Sequence, residues 1–288
     1  MKALIVNGDD FGHSAEVNAG ILRAHREGIM TSASLMVAEH ARDEAARAAR
    51  DNPRLDVGLH AVVCRGQSAL GFARLGTAVD ADGRFTESPV LAGLRYYFDR
   101  KLRARLADEM RAQVEAHLQA VGYLHHIDGH LNFHVHPVLA DILIELAAEF
   151  RVPSLRLPRE AVMTTLGLAR DHRTRKLTEA VIFRALSKRT RRKMRERGLT
   201  STDWLFGLHQ SGHLTEAYVM GVIANLRDGS TELYFHPAAD VGGTPPAASA
   251  QREVEILLSP RVRDAIAARG IRLTTFAELA REQVSARN

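Results

Sequence analysis

Residues 2–12, KALIVNGDDFG, decide how this chain is read. The run Ala3–Val6 is apolar, too brief for a helix and partly β-branched, which predicts a buried strand. It passes directly into Asn7, Asp9 and Asp10, so carboxylates stand at a strand end. An extended chain sends neighbouring side chains to opposite sides. Asp9 and Asp10 are therefore expected to part, one available to a metal and the other free as a base. The plainer alternative is a loop whose aspartate caps the helix beginning near Ser14.

Seven similar runs follow: SASLMV (32–37), LDVGLHAVV (55–63), YLHHID (123–128), SLRLP (154–158), WLFGL (204–208), TELYF (231–235) and IRLTTF (271–276). Helical patterns lie between several of them, at 14–28, 39–53, 103–122 and 137–153. Strands alternating with helices predict a parallel sheet wrapped in helices, an α/β fold closing into a distorted (β/α) barrel. The expected organisation is one catalytic domain over 1–288, with insertions at 64–100 and 160–203 and a loop at 242–249. There is no internal repeat.

Apolar residues make up 45% and charged residues 25%, the balance of an ordinary globular protein. A single cysteine, Cys64, excludes a disulfide within the chain and fits a reducing compartment. MKALIVNGDD is too short an apolar stretch for a signal-peptide core, and no window approaches a membrane span, so a cytoplasmic protein is expected. The net charge of +5 is local, since residues 170–197 carry twelve Lys/Arg against three acids.

Polar groups recur at strand ends: Asp9 and Asp10, then His60, Asp128 with His130, Arg156 and His236. In parallel α/β folds these ends open into one mouth, where residues distant in sequence meet. Five of the fourteen histidines crowd into 125–136. If extended, Asp128, His130, His134 and His136 share a face; if helical, His130 and His134 stack at i, i+4. Either way imidazoles and a carboxylate converge, which suits a divalent metal such as zinc. At least two of the histidines are expected to pack rather than bind, and a lone histidine such as His60 is more often structural. Neither Cys64 nor Ser211 has the base signature of a nucleophile.

In this order, NGDDFG, GLH, HIDGH, LRLP and YFHP resemble the YdjC/ChbG family of carbohydrate deacetylases, from Ala3 to about Leu279. HIDGHLNFHVHP and LRLPRE resemble the branch associated with hopanoid biosynthesis. Asn132 departs from the histidine usual in the wider family, so that position is not an essential ligand. The resemblance implies a distorted barrel in which Asp10, His60 and His130 bind one divalent ion, Zn2+ or Mg2+. It implies Asp9 as catalytic base, His236 as general acid, and Arg156 as holding Asp9 ionised or contacting substrate. The implied reaction is metal-dependent hydrolysis of the acetamide of an N-acetylated sugar, such as an N-acetylglucosaminyl hopanoid lipid, to acetate and a free amine. Two alternatives stand beside it: a metal-dependent phosphoesterase or other amidohydrolase, and a non-catalytic binding module.

The segment 173–198 joins a basic face to apolar residues at roughly helical spacing. It reads as a solvated helix packed on the barrel, as a helix lying on an anionic membrane, or as a nucleic-acid contact. The last is disfavoured by the scarcity of aromatic residues for base stacking. Expected partners are an N-acetylated sugar or glycolipid, the inner face of the cytoplasmic membrane, and a second copy of the chain in a homodimer; nucleic acid is not expected.

Overall fold

All eight apolar runs become strands: β1 Lys2–Phe11, β2 Ser32–Leu35, β3 Asp56–Ala61, β4 His126–Gly129, β5 Ser154–Leu155, β6 Trp204–Phe206, β7 Gly229–Phe235 and β8 Arg272–Leu273. The computed structural model describes residues 1–242 and 244–285; Gly243, within the expected 242–249 loop, lies outside them. Every strand pairing is parallel, in the order β5-β4-β3-β2-β1-β7-β6, with β8 beside the start of β1. The two ends of this sheet are drawn together. Leu155 donates its N–H to the Thr200 carbonyl at 3.0 Å, and Leu205 donates to the Arg159 carbonyl at 3.2 Å. The sheet thus curls into the distorted barrel that the alternation predicts.

Helices cover the sheet, so strands such as β2 and β3 are buried at every residue, including the polar Ser32, Ser34, Asp56 and His60. Ser14 caps the helix Ala15–Glu27 by accepting the Val17 N–H at 3.3 Å, and Asp99 caps Arg100–Val121. Gly58 on β3 is set by a close approach: a Cβ there would lie 2.3 Å from the His126 ring of β4. The stretches 64–100 and 160–203 add no strand to the sheet; they contribute the helices Gly71–Leu75, Pro89–Phe98, Val162–Leu168 and Arg173–Glu196. No helix among the described residues is long and apolar enough to cross a membrane.

The segment 173–198 forms a helix packed on the barrel, as the first of its readings expects. Arg173–Glu196 lies on the helix Pro137–Glu149, burying Ser187, Thr190 and Met194. Arg189 and Lys193 both reach Asp141 at 2.7 Å, and Arg197 reaches Glu145 at 2.7 Å.

Within the helix Arg100–Val121, His117 is wholly buried and donates Nε2–H to the Tyr123 carbonyl at 3.1 Å. Burial pushes its imidazole down to about 3. Its contribution to stability is therefore complete above the ordinary histidine value and is lost as pH falls from about 6.5 toward 3, at about 1.4 kcal/mol per pH unit. His117→Gln keeps an N–H donor but cannot titrate. Its urea midpoint is expected to fall less steeply than wild type between pH 6.5 and 4, and equal slopes would remove His117 from the account.

Candidate active site

The site begins with an irregularity in β1. Between paired positions β1 advances three steps, from Gly8 to Phe11, while β2 advances two, from Ala33 to Leu35, so the register slips where the two aspartates stand. Asp10 has φ 65°, in the left-handed region. Such bulges re-aim side chains beside active sites. Here the result is that Asp9 points into the barrel, 3% exposed, while Asp10 faces the mouth. The expected parting of the pair is real, but it comes from the bulge and the turned backbone as well as from strand alternation.

Asp10 collects two imidazoles on one oxygen. Its Oδ1 is 2.9 Å from His130 Nδ1 and 3.2 Å from His60 Nε2. His60, next to last in β3, stands directly opposite Asp128 on β4, and its Nδ1 donates to Asp128 Oδ1 at 2.7 Å. That bond fixes the tautomer and aims Nε2 at Asp10, the arrangement by which carboxylates orient metal-binding histidines. Burial opposes ionisation of Asp10, but His130 and His60 outweigh it and hold the carboxyl well below its ordinary value. Burial also disfavours charge on His60, yet Asp128, Asp9 and Asp10 raise it to about 10. A locus that draws in this much positive charge suits a cation.

Asp10, His60 and His130 offer ligand atoms within 4.8 Å of one another, and so do Asp9, His60 and Asp128. The second set is already committed. Asp128 uses Oδ1 on His60 and Oδ2 on Ser34 at 2.7 Å. Both oxygens of Asp9 are taken by Arg156, at 2.8 and 2.7 Å, and Oδ1 also accepts from Asn7 at 2.7 Å. In the first set Asp10 and His130 are partly exposed at the mouth with His60 buried behind them, and these are the residues that the sequence resemblance implies as ligands.

Arg156 sits beneath the site. Its guanidinium is wholly buried against Asp9, Asp128 at 2.7 Å and Glu232 at 2.6 Å, and stacks 4.8 Å from the Tyr234 ring. Of its two expected roles, only holding Asp9 fits a side chain with no path to substrate. Burial disfavours its charge, but Asp128, Asp9 and Glu232 raise it well above the ordinary value. Burial pushes Glu232 up to about 7 despite the pull of Arg156. Arg156→Met strands buried carboxylates without a countercharge and is expected to cost about 3–5 kcal/mol in urea unfolding. An unchanged midpoint would show that the guanidinium is not what holds these groups.

His236 follows β7, whose Phe235 pairs with Gly8 of β1, so it reaches the mouth at the level of Asp9. Its backbone N–H is fixed by Glu253 at 2.5 Å. The other histidines of the cluster disperse. His125 faces the opposite end, pairing with Asp56 at 2.7 Å and stacking on Tyr123. His126 lies inside the barrel, stacked 3.9 Å from Phe276. His134 is buried within the 3-10 turn His130–Val135, and burial pushes it down to about 4. His136 contacts the Gly93 carbonyl at 3.1 Å and so ties the 64–100 stretch to the mouth.

Sequence reading missed Glu232, Ser34 and Asn7. Glu232 did leave a signal: a carboxylate centred in the buried run TELYF needs a partner. The serine and asparagine left none.

The chain matches the family model for YdjC-like proteins over residues 3–268 and belongs to that family. Over 280 residues it is 31% identical to a carbohydrate deacetylase of Geobacillus stearothermophilus, covering 95% of this chain and 96% of that one. It is 38% identical to a carbohydrate deacetylase of Brevibacillus brevis over 152 residues, a match spanning 52% of this chain and 57% of the relative. The fold is also that of a crystallised Enterococcus faecalis V583 protein described in connection with cellobiose-phosphate cleavage. That protein has a TM-score of 0.74 and 23% identity, covering 96% of this chain and 98% of the other.

Proposed function

We propose that the chain is a metal-dependent carbohydrate N-deacetylase, releasing acetate from an N-acetylated sugar and leaving a free amine. The observation that carries this is the convergence of His60 Nε2 and His130 Nδ1 on Asp10 Oδ1 beside a separately held carboxylate, Asp9. The names of the relatives support the substrate class. Asp10, His60 and His130 would hold one divalent ion. Two imidazoles and one carboxylate suit Zn2+ better than Mg2+, which favours oxygen ligands. When bound, such an ion acidifies a water and polarises the acetamide carbonyl.

The protein's own groups do the rest. Arg156 and Asn7 fix the Asp9 carboxylate in one orientation. Asp9 Oδ2 has a single donor among the described residues, which leaves a lone pair to take the proton of the attacking water. His236, across the mouth, delivers a proton to the departing amine. The finer reading is an N-acetylglucosaminyl hopanoid taken from the inner face of the cytoplasmic membrane, with 173–198 as the contact. It is supported by the sequence resemblance and by exposed apolar side chains on two helices, Val90 and Phe98, each 73% exposed, and Val181, 71% exposed.

The test is acetate release from N-acetylglucosaminyl compounds by the metal-loaded protein, set against phosphate release from phosphoesters. Phosphate release without acetate release would replace the deacetylase with the phosphoesterase alternative.

A further inference from the structure

A cavity of about 990 Å3 lies between the helix Arg173–Glu196 and the segments around Arg159 and Trp204. None of the metal-binding or proton-transfer residues lines it. Its helical wall carries Arg184, Lys188, Arg191 and Arg195, at i, i+4, i+7 and i+11, which puts all four on one face. Among the described residues none of these four has a carboxylate partner within 4.0 Å, whereas Arg189 and Lys193 on the adjoining face are both tied to Asp141. Arg159 faces them from the opposite wall.

The acids of the lining do not neutralise this charge. Glu196 pairs with Arg192 at 4.0 Å. Glu160 is turned inward, accepting the His209 N–H at 3.1 Å and the Thr165 hydroxyl, and burial raises its carboxyl above the ordinary value. Burial, and then Arg191 and Arg195, push Arg159 below its ordinary value against the opposing pull of Asp203, which marks crowding of like charges around the space. Trp204, the only tryptophan in the chain, forms part of the wall, with Arg159 5.5 Å and Arg227 4.6 Å from its ring centroid.

Like charges gathered on one face, with Arg184, Lys188 and Arg195 exposed, draw in anions, and forked guanidinium donors match phosphate oxygens. The volume stands at the upper end of ligand cavities and exceeds what a lone small anion fills. We propose that this cavity binds a ligand carrying more than one phosphate-type anionic group, gripped by Arg159 on one side and by Arg184, Lys188, Arg191 and Arg195 on the other. This is a site separate from the metal centre, and it stands whether or not the deacetylase reading holds. The same chemistry is offered by a free oligophosphate and by anionic lipid headgroups.

Trp204 supplies the readout. Full-length protein is titrated with inorganic tripolyphosphate at constant ionic strength while tryptophan emission is followed, and is sedimented in parallel with phosphatidylglycerol or phosphatidylcholine vesicles. A saturable emission change that weakens about tenfold or more in Arg191→Gln/Arg195→Gln and in Arg184→Gln/Lys188→Gln supports a free phosphate ligand. Sedimentation with phosphatidylglycerol alone, lost in both double variants, supports the headgroup as the source. Acetate release from an uncharged, water-soluble N-acetyl sugar is expected to be unchanged in both variants. Neither signal in the wild type, or signals that both variants retain at full strength, would overturn the proposal.

Discussion

His60→Ala and His130→Ala are each expected to purify with far less divalent metal than the wild type, and to lose about three orders of magnitude or more of deacetylation. On the proposed assignment each removes one of three donors that lie within 4.8 Å of one another, and among the described residues the neighbouring carboxylates Asp9 and Asp128 already have other partners. Asp128 Oδ1 is held on His60 Nδ1, and Asp9 is oriented by Arg156 on both oxygens, with one lone pair of Oδ2 left for the proton. Asp128→Asn should behave differently. It leaves all three donors in place but removes the group that aims His60, which predicts a loss of about 10–100-fold in metal affinity. Metal analysis of the three purified variants separates these cases. Full occupancy in both alanine variants would sink the ligand assignment, and a wild-type affinity in Asp128→Asn would sink the orienting role alone.

The parts of this site that were legible in the sequence are those written in local pattern. An apolar run ending in NGDD identifies a strand end with carboxylates, and the repetition of that pattern identifies a barrel mouth. Direction and partnership were not legible. Nothing in SLRLP says that Arg156 turns inward, because its partners Asp9 and Glu232 lie 147 and 76 residues away. The five histidines of 125–136 look alike in one dimension. His125 and His126 part before the turn, toward Asp56 and Phe276, and beyond β4 a 3-10 turn with left-handed Leu131 and Asn132 carries His134 and His136 off the face that an extended segment would share. The basic segment misleads for a similar reason: its charge is countable, but the two positions neutralised by Asp141 depend on a helix packed from elsewhere in the chain.

Asp9 and Asp10 are adjacent in sequence, so exchanging each for asparagine is the sharpest test of how the bulge divides their work. If Asp10 is a metal ligand as proposed, Asp10→Asn weakens that donor, and metal content is expected to fall with activity. Asp9→Asn leaves Asp10, His60 and His130 intact, so metal content should stay near the wild-type level while turnover drops about 10²–10⁴-fold through loss of the base. The same exchange has a structural consequence. Asp9 accepts from both terminal nitrogens of Arg156, and an asparagine amide must turn an N–H2 toward one of them. A buried donor facing a donor costs about 1–3 kcal/mol, so the Asp9 variant should also unfold at lower urea than the Asp10 variant. Activity must therefore be measured well below either midpoint, with metal content determined on the same sample. Equal metal loss in the two variants would mean that both carboxylates bind the ion and that the proton is taken by another group. Metal retained with turnover intact in Asp9→Asn would leave Asp9 a purely structural partner of Arg156.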